Sequence, residues 1–263
     1  MSEPLILITT SDGVVRLTLN RPQKRNALTR ELLAELLAKL EEVAARSDAR
    51  CLVLAASGPV FCAGMDLAQM QETAARPDAS KVWHADTELY HDVATALFQL
   101  PVPTLAVVQG PAVAGGLGLV LACDLVIAAE TATFALPEPQ RGITAAIVTP
   151  LLVYRAGAAG ASFLLLSGEA LDARSAQRMG LCQSIVEPVR LHAAADEQVR
   201  SILSGAPGAL AITKQELRAC AAVDVLAHLR RAVAVSAQAR ESPEAREGLA
   251  AFLEKRQPKW QPK

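Results

Sequence analysis

The spacing of apolar and polar positions changes several times along the chain, and each change predicts an element. LILITT and VVRLTL, both rich in β-forming residues, flank Ser11-Asp12-Gly13. Asp-Gly between two such runs is a strong hairpin signal, so the chain is expected to open with a β-hairpin. After NRPQKRNA, the apolar residues Leu32, Leu33, Leu36, Leu37, Leu40 and Val43 recur with helical spacing, and Thr29 stands where a helix N-cap belongs. CLVLAA is a short continuous apolar run and reads as a buried strand. A second cycle follows: a helix around Glu88 to Leu100, the strand TLAVVQ, the helix GGLGLVLACD and the strand LVIAA. Strands alternating with helices predict an α/β fold with a mainly parallel sheet, and place functional residues in the loops where strands end. Residues 71–83, with Pro77 and many small side chains, read as a mobile loop. From Leu191 the pattern is helices only, interrupted at Gly205 to Gly208 and at Ser242-Pro243. Two regions are therefore expected, a core over 1–190 and a helical portion over 191–263.

Composition narrows the class. The 263 residues are 51% hydrophobic, enough to bury a large core. Lys and Arg total 26 against 27 Asp and Glu, a formal net charge of -1, which gives no electrostatic footprint for nucleic acid or an acidic membrane. Any anionic ligand must then be bound locally. The opening MSEPLILITT lacks a basic flank, and no apolar run is read as reaching the roughly 18 residues that cross a bilayer, so a cytoplasmic protein without a membrane partner is expected. The cysteines Cys51, Cys62, Cys123, Cys182 and Cys220 form no CxxC pair and read as reduced core residues. The four histidines show no HExxH spacing, and no metal site is expected.

The candidate chemistry centres on AVAGGLGLVLACD, Ala112 to Asp124, which puts three glycines into four residues at a helix start. Gly110 and Gly115 have the spacing of the first two glycines of a phosphate-binding P-loop, but Gly116-Leu117 stands where Lys and Ser/Thr would be needed. A dinucleotide fingerprint fails because the third glycine position is Leu121 and Asp124 comes too early for a ribose. No GxSxG elbow occurs. Two readings stay open: close packing of a helix on its strand, or exposed N–H groups at the positive end of a helix that hold an oxyanion without a cationic side chain. FCAGMDL, Phe61 to Leu67, offers a second donor at another strand end, with Asp66 placed to cap the next helix.

NRPQKRNAL, FCAGMDLAQM, PVPTLAVVQGPAVAGGLGLVLACDLVIAAETATFALPEPQRGI and the ending EGLAAFLEKRQPKW, in that order and spacing, resemble the crotonase superfamily, the enoyl-CoA hydratase/isomerase family, over nearly the whole chain. The resemblance implies a crotonase-like spiral of ββα units with a C-terminal helical trimerisation region, a homo-trimer or hexamer, and acyl-CoA thioester substrates. It implies no separate cofactor, coenzyme A being part of the substrate. By motif position the oxyanion hole is the backbone N–H of Met65 and of Gly115, which would stabilise charge that develops fully only in the transition state. Ala63, Gly64, Asp66, Leu67, Gly116, Gly118 and Leu136 are implied around the acyl-CoA. Lys24 and Arg25 would meet the CoA phosphates, with Ala27 and Leu28 against the pantetheine, although a solvated basic turn is the plainer reading of those charges.

The family's hydratases commonly carry two glutamates. The second has its counterpart in Glu138 of FALPEPQ, while the first position holds Gly118. A carboxyl group in an apolar pocket has a raised pKa, which suits Glu138 to proton transfer near neutrality. One base can serve a 1,3-proton shuttle as in enoyl-CoA isomerases, or add water alone; AGGLGL joined to RGITAAIVTPLL resembles a subgroup that includes hydratases of methylglutaconyl- and isohexenylglutaconyl-type thioesters, and that resemblance tilts the reading to a hydratase-type lyase. A thioester-binding relative without turnover is the alternative from another class. Glu88 and His91 on one helix face are candidates to replace the missing glutamate. Arg141 either steers a carboxylated acyl chain or pairs with surface acids, the latter being favoured. Lys255 and Arg256 are candidates for the nucleotide of CoA, and Trp83, Met65, Met70 and Leu136 for the acyl pocket.

Overall fold

Asp12 and Gly13 both take left-handed backbone, φ 51° and 78°, and close the tight turn between β1 (Ile6–Ser11) and β2 (Val14–Leu19). The computed structural model describes residues 3–221 and 223–261. Beyond the hairpin, Thr29 caps α1 (Arg30–Ala45), its hydroxyl accepting from the Leu32 N–H at 3.2 Å. The chain then runs through β3 (Cys51–Ala56), α2 (Leu67–Ala74), α3 (Ala79–Gln99), β4 (Thr104–Val108), β5 (Ala112–Val113) and α4 (Gly115–Ala122). β6 (Leu125–Ala129) and β7 (Thr133–Ala135) lead to a 3-10 turn at Glu138–Arg141. After it come α5 (Val148–Ser167), β8 (Leu171–Asp172), α6 (Ala173–Arg178) and β9 (Ser184–Val186). The last four helices are α7 (Leu191–Leu203), α8 (Pro207–Ala219), α9 (Val225–Arg240) and α10 (Pro243–Leu253).

Six strands form one sheet in the order β1-β2-β3-β4-β6-β9, parallel except for the first pair. Each time the chain leaves this sheet it crosses to a second, smaller one, β5-β7-β8, which is extended by single bridges between Cys62 and Ala112 and between Leu28 and Met65. It then returns through a helix. The result is the expected spiral of ββα turns, and every turn brings a loop to the junction of the two sheets. The short segments of the second sheet carry almost no periodicity, which is why the sequence pattern misses them.

The large sheet is buried on both faces. Leu52, Leu54, Ala106 and Val108 point into the main core with α1, α3, α4 and α5, while Val53, Leu105, Val107 and Ile127 meet Leu191, Ala195, Val199 and Ile202 of α7. Strands covered on both faces read as continuous apolar runs, as CLVLAA and TLAVV do. The helices after residue 190 pack on this core: α9 lies along α3, and α10 docks on the 3-10 turn and α2.

Three expectations are corrected. Residues 71–83 are mostly helical, since Asp66 caps α2 and α3 starts at Ala79, a full two turns before Glu88. Alanine-rich segments favour helix despite the nearby proline. α5, with 20 residues, is long and apolar enough by length and composition to cross a bilayer; it is kinked at Gly157 and packs against α4 and α9. Cys220 is exposed at the end of α8, whereas the other four cysteines are buried and unpaired with one another.

Candidate active site

The loops at the sheet junction are fastened by Asn26, which is fully buried. Its side-chain oxygen accepts from the Arg21 N–H at 2.8 Å, and its amide donates to the Ser57 and Val60 carbonyls at 2.9 and 2.8 Å. Arg25 and Asn26 both sit in left-handed backbone, a conformation asparagine tolerates well. The NRPQKRNA loop is thus sewn to the exit of β3, and Lys24, Arg25 and Ala27 come to the edge of a cavity of about 850 Å³.

Two backbone N–H groups face that cavity. Leu28 donates to the Gly64 carbonyl at 2.8 Å and accepts from the Asp66 N–H at 2.9 Å, so the intervening Met65 N–H is turned away from Leu28. Gly115 begins α4 and has no intrahelical acceptor. Among the described residues neither N–H has a hydrogen-bond partner, and both residues line the cavity. Ala114 precedes Gly115 with φ 53° and ψ -129°, a strained conformation for a residue with a Cβ, of the kind that clusters at functional sites. Gly64 has φ 86°, and a Cβ there would lie 2.7 Å from Ala114 Cβ and 3.4 Å from Gly115 N. The two loops therefore approach as closely as glycine allows.

Glu138 opens the 3-10 turn and lines the same cavity, with only 6% of its surface exposed and no partner for Oε2 among the described residues. Burial pushes its carboxyl up to about 7, against the opposing pull of its own backbone N–H and of Arg141. Asp66 also lines the cavity, but its carboxylate is already used. It accepts from Arg21 at 2.7 Å and from the Ala68 and Gln69 N–H groups, and these bonds outweigh burial and hold its pKa below the ordinary range.

Tyr90 is the residue that sequence reasoning missed. Its hydroxyl donates to the Gly115 carbonyl at 2.7 Å, and its ring packs against Gly115. A Cβ at Gly118 would lie 2.1 Å from Tyr90 Oη and 2.9 Å from Val148 Cγ2, so the place of the absent glutamate is filled by the tyrosine. Burial raises the Tyr90 pKa well above its ordinary value, and the hydroxyl stays neutral. A signal was available: Trp83, Thr87, Tyr90, Ala94 and Leu97 recur with helical spacing and are all buried on one face of α3. Glu88 lies off that face, and His91, though buried, lies at its edge. Glu88 pairs with Arg230 and His84, His91 with Asp92, and neither lines the cavity.

Of the remaining candidates, Ala63, Leu67 and Met70 line the cavity alongside Lys24, Arg25, Ala27, Met65, Asp66, Gly115 and Glu138. Leu28, Gly64, Gly116, Gly118 and Leu136 are buried behind its wall. Gly116 is a packing glycine, whose Cβ would strike the Cys62 carbonyl at 2.5 Å. Arg256 is bound to Glu247 and Glu254, and neither it nor Lys255 reaches the cavity. Among the described residues Arg141 makes no ion pair with a surface acid; it lines the cavity with its guanidinium over the Phe252 ring, 4.5 Å from the centroid. Ser236 and Arg240 of α9 and Leu253 of α10 also line it, and the sequence pattern gave no reason to place site residues there.

The chain belongs to the enoyl-CoA hydratase/isomerase family, whose sequence pattern matches residues 9–263. A Thermus thermophilus protein is 36% identical over 244 residues, covering 92% of this chain and 95% of its own. The enoyl-CoA isomerase/hydratase of Mycosarcoma maydis is 34% identical over 256 residues, 94% of this chain and 92% of its own. Among solved structures, an enoyl-CoA hydratase from Mycobacterium avium superposes with a TM-score of 0.86 at 34% identity, over 99% of this chain and 100% of that one. The fold is therefore that of the crotonase enzymes.

Proposed function

We propose that this family member is a hydratase-type lyase acting on an acyl-CoA thioester, with Met65 and Gly115 N–H as the oxyanion hole and Glu138 as its single acid/base. One juxtaposition supports the reading: a buried carboxyl with an unpaired oxygen and a pKa of about 7 faces the same cavity as two unpaired N–H groups. Lys24 and Arg25 at the edge suit the CoA phosphates, and Ala27 the pantetheine arm.

In the forward direction Glu138 takes a proton from water as the water oxygen bonds to C3 of the enoyl chain. The C2–C3 double-bond electrons move towards C1, and the thioester carbonyl becomes an enolate. Its oxygen then carries the charge that the Met65 and Gly115 N–H groups are placed to stabilise. The enolate collapses as Glu138 returns the proton to C2. A carboxyl poised near neutrality is suited to both transfers.

The lone carboxylate also supports a second reading, a 1,3-proton shuttle, in which Glu138 removes a proton from C4 of a 3-enoyl thioester and returns it to C2 without water. Incubation with 2-enoyl and 3-enoyl thioesters followed by mass detection separates the two, since hydration adds the mass of water and isomerisation adds nothing. Glu138→Gln keeps shape but not basicity, and should lower turnover by about a hundredfold or more while thioester affinity changes little. Wild-type turnover in that variant would remove Glu138 from the mechanism.

A further inference from the structure

Glu138 and Arg141 are the first and last residues of one 3-10 turn. In a 3-10 helix the side chains at positions i and i+3 eclipse, so an acid and a base in this arrangement are placed to form an ion pair. This pair does not bond. Glu138 Oε2 and Arg141 Nε are both buried without a hydrogen-bond partner among the described residues, and each side chain acts on the other only through space.

What occupies Arg141 comes from the C-terminal helix. α10 rests on the backbone of the turn: a Cβ at Gly248 would lie 2.2 Å from the Arg141 carbonyl oxygen, and one at Gly142 would lie 2.2 Å from the Glu244 carbonyl oxygen. Phe252 follows Gly248 by one helical turn and shares its face of α10. Its ring is thereby delivered to Arg141, whose guanidinium lies 4.5 Å from the centroid. Phe252 is 45% exposed, so its place owes less to burial than to the cation above it.

No second charge competes for Glu138 from the elements packed around the turn. Tyr90 of α3 acts on it through space and stays neutral. α4 carries no charged residue, and neither does the start of α5, Val148 to Val153. Of the charged residues of α10, Glu244 meets the turn through its backbone, Arg246 is exposed and Glu247 is bonded to Arg256. Across the cavity Asp66 is held by Arg21, and Arg240 of α9 lies in the field of Asp86.

We infer that Phe252 is a positioning residue: its ring engages the Arg141 guanidinium, keeps that cation off Glu138 and leaves the carboxyl free to carry a proton. The inference rests on the acid/base reading of Glu138 above and adds the residue that preserves it. Without the ring, the guanidinium has an unoccupied carboxylate oxygen within its own turn. A charge-assisted bond there would use that oxygen and weaken the base.

The test reads Glu138 directly and needs no thioester: infrared titration of the protonated carboxyl stretch, with the band assigned by its loss in Glu138→Gln. Phe252→Leu keeps an apolar side chain and removes the ring face, and the midpoint should fall by about one pH unit or more from the wild-type value. Phe252→Tyr keeps the ring and should leave the midpoint in place. Phe252→Leu combined with Arg141→Met should titrate like Arg141→Met alone, because the ring has nothing to hold once the cation is gone. With an enoyl thioester that turns over, the acid limb of the kcat profile should move with the infrared midpoint, and the double variant should recover turnover lost in Phe252→Leu. A ring that served only as cavity wall would lower turnover without moving the midpoint. An unmoved midpoint in folded Phe252→Leu, or an equal fall in the Arg141→Met background, overturns the inference. Absence of turnover with every thioester overturns the acyl-CoA reading and leaves the infrared comparison to decide this one. If Phe252→Leu does not fold, Phe252→Met carries the same comparison.

Discussion

At the Met65–Gly115 end of the cavity the groups that face inward are backbone N–H groups, fixed by single bridges of the small sheet, by the strained Ala114 and by the left-handed Gly64. At the Arg240 end they are long side chains delivered by α3, the 3-10 turn and α9. The first is set by chain geometry within a few residues and leaves no room for a Cβ at Gly64. The second is set by how separate helices pack, and can be altered one side chain at a time. In the proposed reaction the developing charge is met by backbone groups, whereas the opposite end of the cavity is shaped by side chains.

The most severe way to break this contrast is Gly64→Ala. The new Cβ would meet Ala114 Cβ at 2.7 Å in a backbone conformation that disfavours any side chain, so the two loops must part. Turnover should fall by about a hundredfold or more, the effect of losing one oxyanion donor, in steady-state assays. Next comes Gly118→Glu, the substitution that would restore a second glutamate by sequence. Its Cβ would meet Tyr90 Oη at 2.1 Å, so chemical unfolding should show a loss of about 3 kcal/mol or more, at the upper end of overpacking effects. Pairing it with Tyr90→Ala should recover part of that loss.

A smaller effect separates the buried acid from both ends. Glu138 titrates at about 7 in the folded chain against an ordinary 4.5, so the folded state binds the proton more tightly. Between those values stability should fall as pH rises, by up to about 1.4 kcal/mol per pH unit, and it should level off above about 7. In Glu138→Gln that slope should vanish, leaving the variant the more stable above neutrality; parallel thermal melts from pH 4 to 9 compare the two. The mildest change is Tyr90→Phe, which removes the bond to the Gly115 carbonyl and keeps the ring. A stability loss of about 1 kcal/mol, with turnover within tenfold of wild type, would show that Tyr90 supports the loop without taking part in proton transfer.

Much of the architecture was legible because strands and helices differ in period. The hairpin at Asp12-Gly13, the caps Thr29 and Asp66, and the switch to helices near Leu191 all follow from residue types acting on their immediate neighbours. Met65, Gly115 and Glu138 were marked in the sequence through the motifs that resemble the family's, and the structure brings all three to one cavity.

Other features required the packed chain. Only the crossing of α3 over α4 puts Tyr90 on Gly118, 28 residues later, and only the docking of α9 and α10 brings Arg240 and Phe252 to the cavity. In sequence Tyr90 sits between the more conspicuous Glu88 and His91, yet a helix turns by about 100° per residue and neighbours face different ways. The sequence alone determined most of the long strands and helices and where Met65, Gly115 and Glu138 lie along the chain. Tertiary structure decided which side chains fill the space around them, because burial and the absence of a partner are properties of packing between elements far apart in sequence.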